Sequence, residues 1–204
     1  QPLPINRNVT FTNCTIYCAY NGYNTIEQTQ WTIQPGKTVT FENCTIKSGC
    51  PDKMWQGIKV DGDANSAHSF TSQHGKVICR NGTTIEDAIK ALESTNGGII
   101  KANGSHFNNN KYDIYYNHYS YSHSFGIGYS ITPNIYDCTF TTTRLLNDNS
   151  IFPDAHICMD NVSGIQIGGC TFENSMSYST AVLPDIGTPY YTACRGIGIK
   201  TNMS

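Results

Sequence analysis

A six-residue pattern recurs six times along this 204-residue chain, and each copy puts the same kinds of side chain in the same places. The copies are Phe11–Ile16 (FTNCTI), Phe41–Ile46 (FENCTI), Arg80–Ile85 (RNGTTI), Ala102–Phe107 (ANGSHF), Ile135–Phe140 (IYDCTF) and Ile167–Phe172 (IGGCTF). The third residue is always Asn, Gly or Asp, the side chains that tolerate a left-handed backbone at least cost. The fourth is always small, and the sixth is always Ile or Phe. A further apolar residue stands two places before the copies, at Val9, Val39, Ile78, Ile100 and Ile165, with Pro133 the exception. Each copy therefore reads as a short strand, a one-residue bend and a second short strand, with apolar side chains inward on both sides of the bend. Self-similarity of this kind marks a solenoid, in which each unit buries its apolar face only against its neighbours.

A second pattern answers the first. Gly57–Val60, Ala88–Ala91, Asp113–Tyr116, His156–Met159 and Gly196–Ile199 each alternate around an Ile, and Trp31–Ile33 takes that part for the first copy. Such alternation predicts half-buried strands. One coil is then a bent strand, a connection, a second strand and another connection, which is a parallel β-helix. The spacing between bends is uneven and shortest from Gly82 to Gly104, so the longer steps carry loop insertions. One stretch, Thr83–Glu93, also reads as a helix with Thr83 and Glu86 as a capping box. The repeat places Ile85 in register with Ile46 and Phe107, and Ile89 in register with Ile114, which predicts strand instead.

Charged residues make up only 14% of the chain and the net charge is −2, with no basic run. Phosphate binding needs a Lys/Arg footprint, so nucleic acid is not an expected partner. No apolar stretch approaches the ~20 residues of a membrane helix, and no membrane span is expected. Nine cysteines are present. Cys14, Cys44, Cys138 and Cys170 fall at the inward fourth position of the repeat and are expected as a stacked column of thiols. Cys18 and Cys50, in equivalent connections of adjacent coils, are the best disulfide pair. The absence of a Cys-x-x-Cys pair and the scatter of the six histidines argue against a metal or cofactor. Sequons at Asn8, Asn13, Asn43, Asn81, Asn103, Asn161 and Asn202 are read mainly as products of the bend rather than as glycan sites.

Trp31–Phe41 (WTIQPGKTVTF), Met54–Val60 (MWQGIKV), Asn81–Ala88 (NGTTIEDA), Gly97–Ala102 (GGIIKA) and Phe107–Asn110 (FNNN) resemble the right-handed β-helix segments of large secreted bacterial surface proteins. The likeness covers about residues 30 to 175. It implies a single-stranded right-handed parallel β-helix and an address outside the cell, secreted or on its surface, by the type IX secretion route. It also implies that residues 1–204 form one β-helix domain cut from a longer chain. Solenoids need capping units and neither end supplies an amphipathic one, so more chain or a docking partner is expected at the C-terminal end.

Five loops, at 17–30, 61–76, 117–132, 141–155 and 173–194, are the places where function can reside. Asp61–Asn65 has the first half of a calcium loop's spacing, but Ser66 and Ser72 stand where its Gly and Glu belong, so a solvated acidic turn is expected. The region after Tyr112 is dense in aromatic rings with polar tips, a composition suited to glycan or protein contact. Tyr115, Tyr116, His118, Tyr119, Tyr121 and His123 are the expected ligand-binding residues. The rival reading is an enzyme acting on acidic polysaccharide, a lyase or a glycoside hydrolase. Lys59 and Lys90 would stack on neighbouring outward positions with Asp61, Asp63, Glu86 and Asp87 nearby, but no recognised catalytic motif accompanies them. The expectation is a surface scaffold or adhesin-like binding module with no catalytic residues.

Overall fold

The structure, a computed structural model, describes residues 3–19, 30–68, 70–119, 134–147, 153–162, 164–175 and 197–202. The first coil consists of β1 (Leu3–Ile5), β2 (Val9–Thr12) and β3 (Thr15–Cys18). The triplet then repeats as β4 (Trp31–Ile33), β5 (Thr38–Glu42) and β6 (Thr45–Ser48), and as β7 (Trp55–Asp61), β8 (Lys76–Arg80) and β9 (Thr84–Glu86). It continues with β10 (Ala88–Thr95), β11 (Ile99–Asn103) and β12 (His106–Asn108), then β13 (Tyr112–Tyr116), β14 (Ile135–Tyr136) and β15 (Thr139–Thr142). The sixth coil holds β16 (Ala155–Asp160), β17 (Ile167–Gly168) and β18 (Thr171–Asn174), and β19 (Ile197–Asn202) follows. Every third strand pairs in parallel, giving one seven-stranded and two six-stranded sheets. This is the parallel β-helix the repeat predicts, and no helix among the described residues is long and apolar enough to cross a membrane.

The bend is where the pattern places it. Asn13, Asn43, Gly82, Gly104, Asp137 and Gly169 all have φ between 50° and 80°. The residues three places on form one continuous row, with Ile16 opposite Ile46, Ile46 opposite Ile85, and Phe107, Phe140 and Phe172 following in register. The three phenylalanine rings stack face to face at 5.1 and 4.9 Å. The Asn side chains of the bend also stack, Asn43 Nδ2 donating to Asn13 Oδ1 at 2.8 Å.

Three expected registers fail. In the third coil Val77, not Ile78, is inward and pairs with Val39 and Ile100. Both Asn81 and Gly82 have positive φ there, so the bend holds one extra residue and the inward position moves back by one. In β10 it is Leu92, not Ile89, that lies opposite Ile58 and Ile114. In place of the helix the chain forms β9 and β10, broken only by a bend at Asp87, since burying Ile85 and Leu92 against neighbouring coils outweighs local helix propensity. In β19 it is Ile199, not Ile197, that faces Ile157.

Cys18 and Cys50 are both free thiols, so the expected disulfide is not formed; the Cys18 side chain is buried in β3 opposite Ser48 while Cys50 lies beyond the end of β6. A polar group sits inside the corner leading into the seven-stranded sheet. Asn110 accepts the Ala88 N–H at 2.7 Å, donates to the Ile85 carbonyl at 3.0 Å and donates to Asp113 at 2.7 Å; Asp113 in turn meets His156 Nδ1 at 2.5 Å. Asn110 thereby satisfies backbone groups that the turn removes from the ladders.

Candidate functional site

Side chains three apart on a regular strand point to opposite faces. Lys90 and Glu93 nevertheless share the outer face of the seven-stranded sheet, because Ala91 and Leu92 both turn inward and are fully buried. The register between β7 and β10 shifts at this point: Lys90 pairs with Gly57 and Leu92 with Ile58, so β10 carries one residue more than β7. Gly57, at φ 98°, allows it, because a side chain there would run into the Lys90 carbonyl. From β10 onward the pairing is regular, Lys90 opposite Tyr112 and Glu93 opposite Tyr115, then Tyr112 opposite Ala155 and Tyr115 opposite Cys158. The later strands keep the extra residue, and Tyr112 and Tyr115 therefore share the outer face as Lys90 and Glu93 do.

The result is a preorganised polar and aromatic patch. The Tyr112 and Tyr115 rings meet edge to face at 5.0 Å. Lys90 Nζ lies 4.2 Å from the Tyr115 ring centroid and 2.5 Å from Glu93 Oε1, and Lys111 Nζ lies 5.5 Å from the Tyr112 ring. Glu93 also accepts from Asn117 Nδ2 at 2.8 Å and from Gln30 Nε2 at 2.9 Å. Burial alone would raise the Glu93 carboxyl, but the bonds from Lys90 and Asn117, the Lys90 charge and the Gln30 bond outweigh it and hold the group below its ordinary value. The Tyr112 hydroxyl donates to Asp154, which also pairs with Lys200 at 3.4 Å. Burial, then the neighbouring Cys158 and Asp160, push Tyr115 up to about 12, so its hydroxyl stays protonated at neutral pH.

The structure divides the expected ligand-binding residues. Tyr115 stands on this outer face, half-buried. Tyr116, the next residue in the strand, is sealed in the core, where no ligand reaches it. His118 is exposed and contacts Asn161 at 3.0 Å. Tyr119 is buried against His68 and His74, with its hydroxyl donating to the Ser66 carbonyl, so it anchors the 61–76 loop. Tyr121 and His123 lie outside the described residues. Sequence reasoning put Lys90, Glu93 and Tyr112 in no common site; their shared face comes from the bulge.

The expected charged grouping is dispersed. Lys59 lies opposite Glu93 rather than beside Lys90. Glu86 faces Lys47 at 3.7 Å and Asp87 meets Arg144 at 2.5 Å. Asp61 accepts from Thr95 at 2.8 Å and from Asn96 at 3.0 Å. Asp63 accepts the Asn65 N–H at 2.9 Å and the Ser66 hydroxyl at 2.6 Å, which makes an ordinary acidic turn. Among the described residues no group of three or more His, Cys, Asp or Glu side chains is placed to hold a metal ion. No family model matches the sequence, and no curated protein or solved structure matches it either.

Proposed function

We propose that this protein is a secreted or cell-surface β-helix scaffold that acts as an adhesin-like module and binds carbohydrate on the outer face of its seven-stranded sheet. The observation that carries the reading is the Tyr112–Tyr115 pair, flanked by a Lys90–Glu93 pair already locked by Asn117 and Gln30. Sugar rings present apolar C–H faces and a rim of hydroxyls. Tyrosine rings offer the first a surface of large area and little conformational freedom, and fixed carboxylate, amide and ammonium groups match the second. Groups ordered before the ligand arrives lower the entropic cost of binding. The rigid coil behind them supplies that order.

The partners of the carboxylates favour binding over catalysis. Glu93, Asp61, Asp63 and Asp87 each accept hydrogen bonds from neighbouring protein groups, which ties them to structural work. The likeness to bacterial surface β-helices supports export by the type IX route and attachment to further chain or a docking partner at the C-terminal end.

Binding of the full chain to an array of neutral and acidic oligosaccharides tests the reading. Tyr115→Ala should weaken binding roughly tenfold or more, as loss of an aromatic anchor does. Absence of binding across the array, or binding unchanged by Tyr112→Ala with Tyr115→Ala, refutes it. Release of reducing ends or unsaturated products from an acidic polysaccharide, abolished by Lys90→Ala, would place the protein among the enzymes instead.

A further inference from the structure

We propose that Cys14 and Cys44 form an oxidation site, at which a disulfide bond joins the first coil of the helix to the second. The two thiols occupy the same inward position in adjacent coils, between the paired residues Thr12 and Glu42 on one side and Thr15 and Thr45 on the other. Their sulfurs lie 3.5 Å apart. The Thr45 N–H donates to the Cys14 carbonyl at 2.9 Å, so the backbones are held at rung spacing at this point. Stacked strands lie ~4.8 Å apart, which falls inside the Cα separation of about 4.4–6.8 Å that a disulfide accepts. Both residues directly follow a bend, at Asn13 and Asn43, and the Asn43–Asn13 side-chain bond keeps those bends stacked. Bond formation closes the sulfur separation from 3.5 Å to about 2.05 Å.

Two coils separate this pair from the column's other two cysteines, Cys138 and Cys170. The next two coils have Thr83 and Ser105 at the equivalent position, both buried and neither able to extend a thiol chain. Cys14 is half-exposed while Cys44 is only 1% exposed, which sets the order of events. With glutathione disulfide as oxidant, the Cys14 thiolate attacks one of its sulfurs and releases a glutathione thiolate, which takes up the proton that Cys14 lost. Cys44, as thiolate, then attacks Cys14 Sγ of the mixed disulfide and expels the second glutathione, protonated in the same way. Two protein thiols lose two electrons and two protons, and one glutathione disulfide becomes two glutathiones. Burial, with the adjacent Cys44 thiol, holds the Cys14 thiol above its ordinary value, so the first step should quicken as pH rises.

The full-length protein, equilibrated with a glutathione disulfide buffer at mildly alkaline pH, is alkylated and mapped by mass spectrometry without reduction. The expected result is the Cys14 and Cys44 peptides joined, about 2 Da lighter than the sum of the two for the hydrogens lost. The Cys14→Ser variant should leave Cys44 available for alkylation after unfolding. Alkylation of both cysteines in the wild-type chain overturns the proposal. So does arrest of Cys14 at the glutathione mixed disulfide, or linkage of either residue to a third cysteine such as Cys18 or Cys79. A chain oxidised while unfolded in guanidinium gives the pairing expected without the fold, and a Cys14–Cys44 yield no higher than that control also overturns it.

Discussion

Replacing Gly57 by Ala should be among the most damaging small substitutions in this protein, and Gly104→Ala supplies the control. Both glycines have positive φ, 98° and 56°, so each substitution carries the conformational penalty of an L side chain there, about 1–2 kcal/mol. At Gly104 nothing else changes, because a Cβ would meet no atom within 4 Å. At Gly57 the Cβ would stand 2.6 Å from the Lys90 carbonyl carbon, with the carbonyl oxygen nearer still and the Ala91 oxygen at 3.2 Å. These are backbone atoms of the bulge, so relief requires β7 and β10 to part by more than ~1 Å. That would break roughly two ladder hydrogen bonds at about 1 kcal/mol each and loosen Trp55 and Ile58, which are fully buried on either side. The expected cost is roughly 4–6 kcal/mol, in the range reserved for identifiable steric failures. Urea unfolding at unchanged m value measures the difference, and hydrogen exchange at Ile58, Lys59 and Leu92 locates it. If the two variants lie within about 1 kcal/mol of each other, the bulge is not held by the fit of Gly57 and the account of the site is wrong.

Phe140→Ala should cost roughly 3–5 kcal/mol, because its fully buried ring stacks on Phe107 and Phe172 at once; an equilibrium unfolding difference under about 1 kcal/mol would mean the row is not continuous. His68 supplies a pH dependence. Burial first, then the charges of His74, Lys101 and Lys76, depress its pKa from 6.5 to about 4. A depressed imidazole leaves the folded protein unprotonated while the unfolded chain takes up a proton, so stability is full above about 6.5 and is lost as pH falls toward about 4, by on the order of 3 kcal/mol at most. His68→Gln should remove that part of the acid sensitivity, and an imidazole NMR titration midpoint near 6.5 would contradict the burial.

The fold was legible because its rarest requirement, a left-handed backbone residue at the same bend of every coil, can be met by few side chains, and Asn13, Asn43, Gly82, Gly104, Asp137 and Gly169 meet it in turn. The row from Ile16 to Phe172 followed from counting three residues on. Counting failed wherever one coil held a residue more than the next. Asn81-Gly82 is the dipeptide that favours positive φ at both residues, a signal that counting by the six-residue pattern passes over, and that choice alone moves the inward position from Ile78 to Val77. The helix-like run after Thr83 misled less, since Ile85 kept its place, yet the anchor expected at Ile89 lies at Leu92.

The site was less legible for the same reason. Aromatic density after Tyr112 pointed to the neighbourhood of the proposed site, but alternation cannot separate Tyr115 on the surface from Tyr116 in the core until the parity of the strand is known. That parity is fixed by Gly57, two coils earlier, through contact with the Lys90 backbone of the coil between. Parallel strands pair residue for residue, so an insertion in β10 that β13 and β16 did not share would need a second bulge, and the constant register across those strands shows it carried. Two consecutive inward residues, Ala91 with Leu92, Asp113 with Ile114 and His156 with Ile157, then follow in three successive coils. In the first two of these strands each inward pair is bracketed by two outward side chains, Lys90 and Glu93, then Tyr112 and Tyr115. β4 pairs through only three residues and β7 lacks the extra one, so the patch starts at β10. The tyrosine patch is thus a consequence of a single added residue propagated by the pairing rules of the solenoid.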